Sequence, residues 1–262
     1  MKIAAVQMNC RFNEPERNRR RAIQLLERTR ADLYVLPELF NSGYWFSGRE
    51  EAQAAAEPVP EGETCRVLIA AAKRLRCHLV AGLAEKAGDR LFNASVLIGP
   101  GGFIACYRKI HLFDEEKKWF DPGDKPFAVH DIGVAKLGLM ICFDWIFPES
   151  MRSLALQGSQ IICHSANLVL PYCQAAMVTR CLENGVFAVT ANRVGQDRRG
   201  GQSLSFTGRS QITDPRGRIA ARASKLMEEV LVQDIDPGRA DDKWLNPANH
   251  LLNDRRPALY QS

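Results

Sequence analysis

Residues 136–142, Lys-Leu-Gly-Leu-Met-Ile-Cys, are the feature that most restricts how this chain folds. The run is almost continuously apolar, which is typical of a strand buried on both faces. The sequence that follows, 143–149, is typical of a turn leading into a helix. In sheets whose strands alternate with helices, ligands collect at the carboxyl ends of strands, so Cys142 is placed where a thiol could act as a nucleophile. The alternative is an inert core cysteine, which is the commoner fate of this residue type.

Strands and helices alternate through much of the chain, which predicts helices packed on a largely parallel sheet. Asn13 with Glu16 three residues later predicts a capped helix start, and Gly99-Pro-Gly-Gly102 predicts a hairpin. Strands are predicted at 2–8, 33–36, 78–84, 91–98, 103–109, 127–131, 134–142, 160–165, 186–191 and, as several short pieces, within 205–236; helices are predicted from 13 to about 30, 61 to about 75, 148 to about 157 and 171 to about 184. We expect a single domain over 1–262, with an arm from about 237 that packs on a partner subunit.

Composition places the chain among ordinary globular proteins, with 262 residues, 46% hydrophobic and 25% charged. No apolar stretch approaches the roughly 18 residues of a membrane span, and the first residues turn polar too soon for a secretory signal, so we expect a cytoplasmic protein that does not bind membranes. Eight scattered cysteines indicate reduced thiols. No CxxC pair or Cys/His cluster has zinc spacing, so no structural metal is expected.

The formal net charge of +5 is modest, and the arginine clusters at 17–21, 198–199 and 255–256 lie far apart in the sequence. A nucleic-acid binder would need a focused basic stripe or a reading motif, and neither is found. For 17–21 a solvated helix face is favoured over a phosphate-binding role. With no phosphate-cradling loop or dinucleotide fingerprint, no cofactor is expected.

Three residues share one context, the end of an apolar strand: Glu38, Lys109 and Cys142. If their strands run the same way in neighbouring positions, a carboxylate, an ammonium and a thiol meet in one pocket. The alternative is that Glu38 and Lys109 are solvated residues at strand ends.

The same three places resemble a known family. Leu36-Pro-Glu-Leu-Phe40, Tyr107-Arg-Lys-Ile-His-Leu112 and the stretch from Met140 to Glu149 are similar to the three signature segments of the nitrilase superfamily, the carbon–nitrogen hydrolases. The Cys-Phe-Asp-Trp sequence most resembles the branch of small archaeal-type nitrilases and aliphatic amidases. The resemblance implies an α/β fold, a four-layer α-β-β-α sandwich with two mixed sheets packed face to face. It also implies a homodimer formed through helices after the nucleophile.

The resemblance further implies a mechanism. Glu38 takes the proton of Cys142, and Lys109 with the backbone N–H of Phe143 stabilises the negative oxygen that forms on attack. A thioester results, and Glu38 then activates the water that hydrolyses it. Of two adjacent acids, spacing back from Pro122 favours Glu116 over Glu115 as the residue that orients Lys109.

The resemblance places Tyr44, Trp145 and Asn167 near the substrate. Trp145 could equally pack at a helix start, and Asn167 could serve a turn. The preferred substrate is a small aliphatic amide, with a nitrile second and an N-carbamoyl compound third. The expected partners are therefore this small molecule and further copies of the chain, in a homodimer or a higher homo-oligomer. Arg152, Arg180 and Arg193 are candidates for binding a substrate carboxylate.

Two other classes compete. A thiol protease would need a Cys–His pair, but Cys163 and His164 are strand neighbours and face opposite sides. His111, the one histidine within a signature segment, is expected to be packed or hydrogen-bonded. A non-catalytic binding module on the same fold is the second alternative; the intact trio Glu38, Lys109 and Cys142 argues against it.

Overall fold

The computed structural model of the protein describes residues 1–260. The helices in this range are α1 (Pro15–Glu27), α2 (Arg49–Ala55), α3 (Glu63–Leu75), α4 (Glu116–Trp119), α5 (Pro148–Leu156) and α6 (Cys173–Asn184), with 3-10 turns at Cys142–Ile146, Pro237–Ala240 and Pro257–Leu259. The strands are β1 (Lys2–Gln7), β2 (Leu33–Val35), β3 (His78–Ala87), β4 (Arg90–Gly99), β5 (Gly102–Arg108), β6 (Val129–Asp131), β7 (Lys136–Ile141), β8 (Ile161–Ser165), β9 (Phe187–Ala191), β10 (Gln196–Arg199), β11 (Gln202–Ser205), β12 (Gln211–Thr213), β13 (Ile219–Arg222), β14 (Glu229–Asp234), β15 (Trp244–Asn246) and β16 (Asn249–His250). No helix within residues 1–260 is both long enough and apolar enough to cross a bilayer.

Two six-stranded sheets form the centre of the fold, in the orders β14-β1-β2-β3-β4-β5 and β13-β12-β9-β8-β7-β6. In the first sheet β1, β2 and β3 are parallel, and in the second β7, β8 and β9 are parallel. The remaining pairs in both sheets are antiparallel. Each sheet therefore has a parallel centre and antiparallel margins, which confirms the expectation of mixed sheets.

The alternation of side chains along β1 shows how the layers form. Ile3 and Ala5 pack in the core shared with the second sheet, whereas Ala4 and Val6 pack in a separate core with α1 and α3. Successive residues of a strand point to opposite faces, so both faces of β1 are apolar because both are covered. Buried side chains of α5 and α6 join the core of the second sheet. The four-layer α-β-β-α sandwich is confirmed.

Several local predictions were wrong. Helix α1 begins at Pro15 with Glu14 in the N-cap position and no side-chain cap, and Asn13 has a positive φ of 54°. A proline in the first turn has no N–H that needs a partner, so the helix start does not require the Asn13 side chain as a cap.

Two elements were not predicted. Helix α2 was missed because it buries only Ala52 and so lacks an apolar stripe. The β10–β11 hairpin was missed because its sequence is polar.

The arm after 237 contacts the end of α6 in its own chain. The Lys243 ammonium donates hydrogen bonds to the carbonyl oxygens of Asn184 and Gly185, at 2.9 and 2.7 Å. Burial lowers the pKa of Lys243 to about 8. Trp244 and Leu245 are exposed on the following hairpin. Docking of this arm on a partner subunit stays a prediction.

Neighbouring positions were expected for the strands that precede Glu38, Lys109 and Cys142. The structure shows instead that these three strands are not adjacent. Strands β2 and β5 lie in the first sheet with β3 and β4 between them, and β7 lies in the second sheet. The residues approach one another because the sheets are stacked: the Asn167 side chain, just after β8, donates to the Glu38 carbonyl at 2.8 Å. The carboxyl ends of β2 in the first sheet and β8 in the second therefore lie close together.

Gly82 allows this approach. A Cβ at Gly82 would lie 2.5 Å from the Cα of Glu38 and 2.8 Å from the backbone nitrogen of Leu39. The Gly82 N–H and carbonyl also bond to Pro37 and Phe40. Only a residue without a side chain lets β3 pass so close to the segment that carries Glu38.

We therefore predict that Gly82→Ala lowers the free energy of unfolding by roughly 1–3 kcal/mol, the usual cost of inserting a methyl group into a packed site. Chemical denaturation measures it. Gly101→Ala, where a Cβ meets no atom within 4 Å, is the matched control and should stay close to the parent. Equal stability of the two variants would contradict this account of Gly82.

Candidate active site

A lysine ammonium lies between two carboxylates at the centre of the candidate site. The Nζ of Lys109 donates to Glu38 Oε1 at 2.7 Å and to both oxygens of Glu116 at 2.8 Å. The side chains of all three are fully buried. Buried charges are strongly disfavoured unless they are paired in good geometry, and here each one is paired. Glu115 instead pairs with Lys118 on the surface.

Glu38 has one oxygen engaged and one free. Its Oε1 also accepts a hydrogen bond from the Asn93 side chain at 2.7 Å. Its Oε2 is buried and has no hydrogen-bond partner within residues 1–260. The next residue, Leu39, has a φ of 47°, an uncommon conformation for a non-glycine residue. The carboxylate is therefore held through one atom, and the other atom is available to accept a proton.

Lys109 and Glu116 are positioned by the chain around them. The Lys109 N–H donates to the Asn93 carbonyl and its carbonyl accepts from the Gly123 N–H, both at 2.8 Å. A Cβ at Gly123 would lie 2.2 Å from the carbonyl oxygen of Arg108, so this contact requires glycine. The Tyr44 hydroxyl donates to Glu116 Oε1 at 2.7 Å. The carboxylate of Glu116 is thus fixed by the Lys109 ammonium and the Tyr44 hydroxyl, with a longer hydrogen bond of 3.4 Å from the Phe113 N–H.

Cys142 begins the tight turn after β7, with a φ of 40°. The buried carboxylate of Asp144 holds this turn, because its Oδ2 accepts the backbone N–H of Ile141 at 2.8 Å. The same oxygen accepts the hydroxyl of Tyr107 at 2.8 Å. Tyr107 in turn accepts the N–H of Ile110 at 3.2 Å. One carboxylate therefore ties the Cys142 turn to the loop that carries Lys109.

The two nearby histidines contact the backbone and Asp144. His164 Nε2 lies 2.9 Å from the carbonyl oxygen of Cys142, and burial lowers the pKa of this imidazole. His111 Nδ1 lies 2.8 Å from Asp144 Oδ1, and its ring stacks on Phe147 with centroids 3.9 Å apart. His111 is thus packed and hydrogen-bonded, as expected. Among residues 1–260 no imidazole is hydrogen-bonded to the Cys142 sulfur.

Electrostatics favour a neutral thiol at rest. Burial raises the pKa of Cys142 well above its usual value, Glu38 and Glu116 raise it further, and Lys109 opposes them. Burial alone would lower the pKa of Lys109, but the carboxylates of Glu116 and Glu38 outweigh it and hold the ammonium charged. Burial and the charge of Glu38 raise the pKa of Glu116 to about 6, against the opposing Lys109. These interactions show that the four groups share one electrostatic environment.

A narrow cavity of about 20 Å³ opens beside Cys142, close to the size that holds one water molecule. Its walls include Phe143, Trp145 and Asn167, three of the residues predicted to lie near substrate. A larger outer cavity of about 400 Å³ shares Phe113 with it and includes Tyr44. Tyr44 therefore reaches both the outer cavity and Glu116.

The arginines considered as carboxylate binders lie elsewhere. Arg193 is fully buried against Asp197, Arg180 donates to the carbonyl oxygens of Trp145 and Ile146, and Arg152 donates to the carbonyl of Glu183. None of the three lines either cavity. Within residues 1–260 there is also no cluster of three or more His, Cys, Asp or Glu side chains that could hold a metal ion.

Four polar residues of this site were not predicted: Asn93, Tyr107, Asp144 and His164. Asn93 had a usable signal, since it interrupts the apolar run of β4 and a buried polar group needs a partner. His164 likewise interrupts β8. Asp144 and Tyr107 carry no such signal, because their bonding depends on how the two sheets stack.

The chain belongs to the carbon-nitrogen hydrolase family, whose profile matches residues 2–242. A nitrilase from Pyrococcus abyssi is 48% identical over 263 residues, with 99% of each chain covered. An (R)-stereoselective amidase from Pseudomonas sp. is 35% identical, covering 99% of this chain and 93% of that protein. The chain is thus similar along its whole length to proteins named for nitrile and for amide hydrolysis.

A solved structure of an amidase mutant from Nesterenkonia sp. superposes with a TM-score of 0.79 at 26% identity, covering 99% of this chain and 95% of that one. In that mutant the acetamide moiety of fluoroacetamide is added covalently to the active-site cysteine. The fold inferred from the resemblance is therefore the fold of its solved relatives.

The raised pKa of Cys142 determines how alkylation of its thiol should depend on pH. Because alkylation requires the thiolate, the rate of Cys142 alkylation by iodoacetamide should rise continuously from pH 6 to pH 9. Peptide mass spectrometry after timed quenching measures it, since the other cysteines are resolved as separate peptides. A plateau below pH 7 would indicate a thiolate–imidazolium pair and contradict this account.

Proposed function

We propose that the protein hydrolyses the carbon–nitrogen bond of a small amide through a thioester on Cys142, releasing ammonia and a carboxylic acid. The observation that carries this proposal is the buried Lys109 ammonium held between Glu38 and Glu116 next to a thiol. Membership of the carbon-nitrogen hydrolase family supports the reaction class.

Attack requires removal of the thiol proton, because the neutral thiol favoured by burial is a poor nucleophile. Glu38 is the proposed base, and its Oε2, which has no partner within the described chain, is the atom available for that proton. The Cys142 sulfur bonds to the amide carbon as the proton moves to Glu38. General bases of this kind are typically worth about 10²–10⁴-fold in rate.

The oxyanion that forms needs positive charge and N–H donors. Lys109 supplies a fixed ammonium, and Phe143 lies at the start of a 3-10 turn, where the first N–H groups lack partners within the turn. Glu116 orients the ammonium through two hydrogen bonds and is itself held by Tyr44. We assign Glu116 to this role, and not Glu115, which pairs with Lys118.

Three proton transfers complete the cycle. Protonated Glu38 gives its proton to the departing nitrogen, so the carbon–nitrogen bond breaks and ammonia leaves a thioester. The same carboxylate then takes a proton from water, whose oxygen bonds to the acyl carbon. The thioester bond breaks, the acid leaves, and Glu38 returns the proton to the departing sulfur, which restores the thiol and the carboxylate.

The cavities favour a small substrate without a carboxylate. The space beside Cys142 is about 20 Å³, and its walls are mostly apolar, including Phe113, Trp145 and Leu168. No Lys or Arg lines this cavity or the outer one within residues 1–260. An amide of a small aliphatic acid therefore suits the site better than one with an acidic tail.

A nitrile is the second candidate, supported by the 48% identity to a protein named nitrilase. Thiolate attack on a nitrile gives a thioimidate that water converts to the same thioester, so the same residues serve. Ammonia release should be compared across small aliphatic amides, nitriles and carbamoyl compounds. A nitrile or carbamoyl compound turned over a hundred times faster than every amide would overturn the preference for an amide.

Glu38→Gln tests the base. We expect kcat/KM for ammonia release from butyramide to fall by about 10²–10⁴-fold, because the amide cannot accept the thiol proton. Glu16→Gln is the matched control, since Glu16 is an exposed acid that pairs with Arg20 and lines neither cavity, and it should retain parental activity.

Intact mass spectrometry during turnover detects the acyl adduct expected on Cys142. A transient adduct that Cys142→Ala abolishes supports the thioester. Parental activity in Glu38→Gln would remove Glu38 from the mechanism. Ligand stabilisation with neither ammonia nor adduct would instead support a non-catalytic binding module.

We also propose a homodimer in which the face after the nucleophile and the C-terminal arm contact a second copy. Large apolar side chains are exposed there, including Ile146, Tyr172, Leu182, Trp244 and Leu245. Large apolar side chains left exposed in this number are candidates for burial at an interface. Sedimentation should give a dimer, and Leu182→Lys with Trp244→Ser should give a monomer. A monomeric parent protein would contradict the proposal.

A further inference from the structure

A second cavity, of about 540 Å³, lies outside the candidate active site and shares no residue with its walls. It is bounded by α1, by the chain after β1, and by the connections β9–β10 and β13–β14. Its lining includes Arg11, Arg17, Arg21, Arg28 and Glu228. Four guanidinium groups therefore border one cavity.

The spacing of these arginines explains their convergence. Arg17, Arg21 and Arg28 are four and seven residues apart, which places them within about 40° of one another around a helix. Arg11 comes from the segment that precedes α1. Within the arginine run at 17–21, Arg17 and Arg20 are exposed, as expected for a solvated helix face, whereas Arg21 is partly buried at the cavity. Arg20 lies outside the cavity and pairs with Glu16 at the surface.

The charges around this cavity are not balanced. Glu228 is the one acid in its lining, and its oxygens already accept from Arg21 at 2.5 Å and from the Asn9 N–H at 3.0 Å. Arg17 pairs with Glu14 at 3.0 Å. The side chains of Arg11 and Arg28 have no hydrogen bond or ion pair to any residue in 1–260. Two guanidinium groups at the cavity are thus available to a ligand.

We propose that this cavity binds a small anion that carries a chain of two or more phosphate groups. The planar guanidinium fork of arginine matches phosphate oxygens two at a time, more specifically than a lysine would. Arg17 and Arg28 are separated by about 16 Å along the helix axis, so one phosphate cannot reach both ends of the cavity. A phosphate chain can contact several of these side chains together.

Calorimetric titration with inorganic tripolyphosphate tests the proposal. At an ionic strength of about 0.15 M, long-range attraction is screened beyond about 8 Å, so binding must come from close contacts. We expect one site per chain, and at least about tenfold weaker binding, or about 1.4 kcal/mol, in the double variant Arg11→Gln, Arg28→Gln. Orthophosphate should bind at least about tenfold more weakly than tripolyphosphate.

The matched control is the double variant Arg20→Gln, Arg30→Gln. This variant also loses two positive charges, but from exposed arginines that do not line the cavity. It should bind tripolyphosphate as the parent does. Arg11→Lys with Arg28→Lys keeps the charge but loses the fork, and should also weaken binding. Thermal unfolding without ligand confirms that each variant is folded.

Three results would overturn the proposal. Absence of binding by the parent protein removes the site. Equal weakening in the cavity pair and the control pair would reduce the effect to surface charge. Equal affinity for orthophosphate and tripolyphosphate would remove the requirement for a phosphate chain.

Discussion

The ammonium of Lys109, buried between two carboxylates, is the interaction on which the rest of the site depends. Removing any partner from such an ion cluster leaves an uncompensated charge away from water, at a cost of about 3–5 kcal/mol. The surrounding chain is arranged to avoid that cost: Asn93 and Tyr44 each donate to one carboxylate, and Gly123 lets the backbone close over the lysine. The position of the positive charge is therefore fixed before any substrate binds.

A third carboxylate, that of Asp144, fixes the thiol relative to that charge. Lys109 and Cys142 belong to different sheets, so small shifts between the sheets would change their separation. Asp144 prevents such shifts by accepting from Ile141, in the strand before the thiol, and from Tyr107, in the strand before the lysine. A misplacement of about 1 Å can cost about 10²-fold in rate, so this cross-sheet link has a direct chemical consequence. It also explains why a strained φ at Cys142 persists.

Part of this arrangement could be predicted from sequence. Apolar runs gave most central strands to within a few residues, and the rule that ligands bind at strand ends selected Glu38, Lys109 and Cys142. The stacking of two sheets could not be deduced from the apolar runs, because a strand covered by a sheet and a strand covered by helices are equally apolar. The expectation of two stacked sheets came from the resemblance to the nitrilase superfamily. Helix α2 was missed because it buries too little surface to leave a pattern. Asp144 was missed because its bonds join segments distant in sequence.

The protonation states favour a carboxylate base over an imidazole base. A thiolate–imidazolium pair needs surroundings that stabilise two opposite charges on the reacting groups, and here burial raises the pKa of the thiol and lowers the pKa of His164. Both groups are therefore neutral at rest, and His164 contacts the Cys142 carbonyl, not the sulfur. In the proposed mechanism, the carboxylate of Glu38, held beside Lys109, takes the proton as the new carbon–sulfur bond forms. In this mechanism the ammonium stays nearby throughout, so the negative charge passes from Glu38 to the substrate oxygen within reach of one fixed cation.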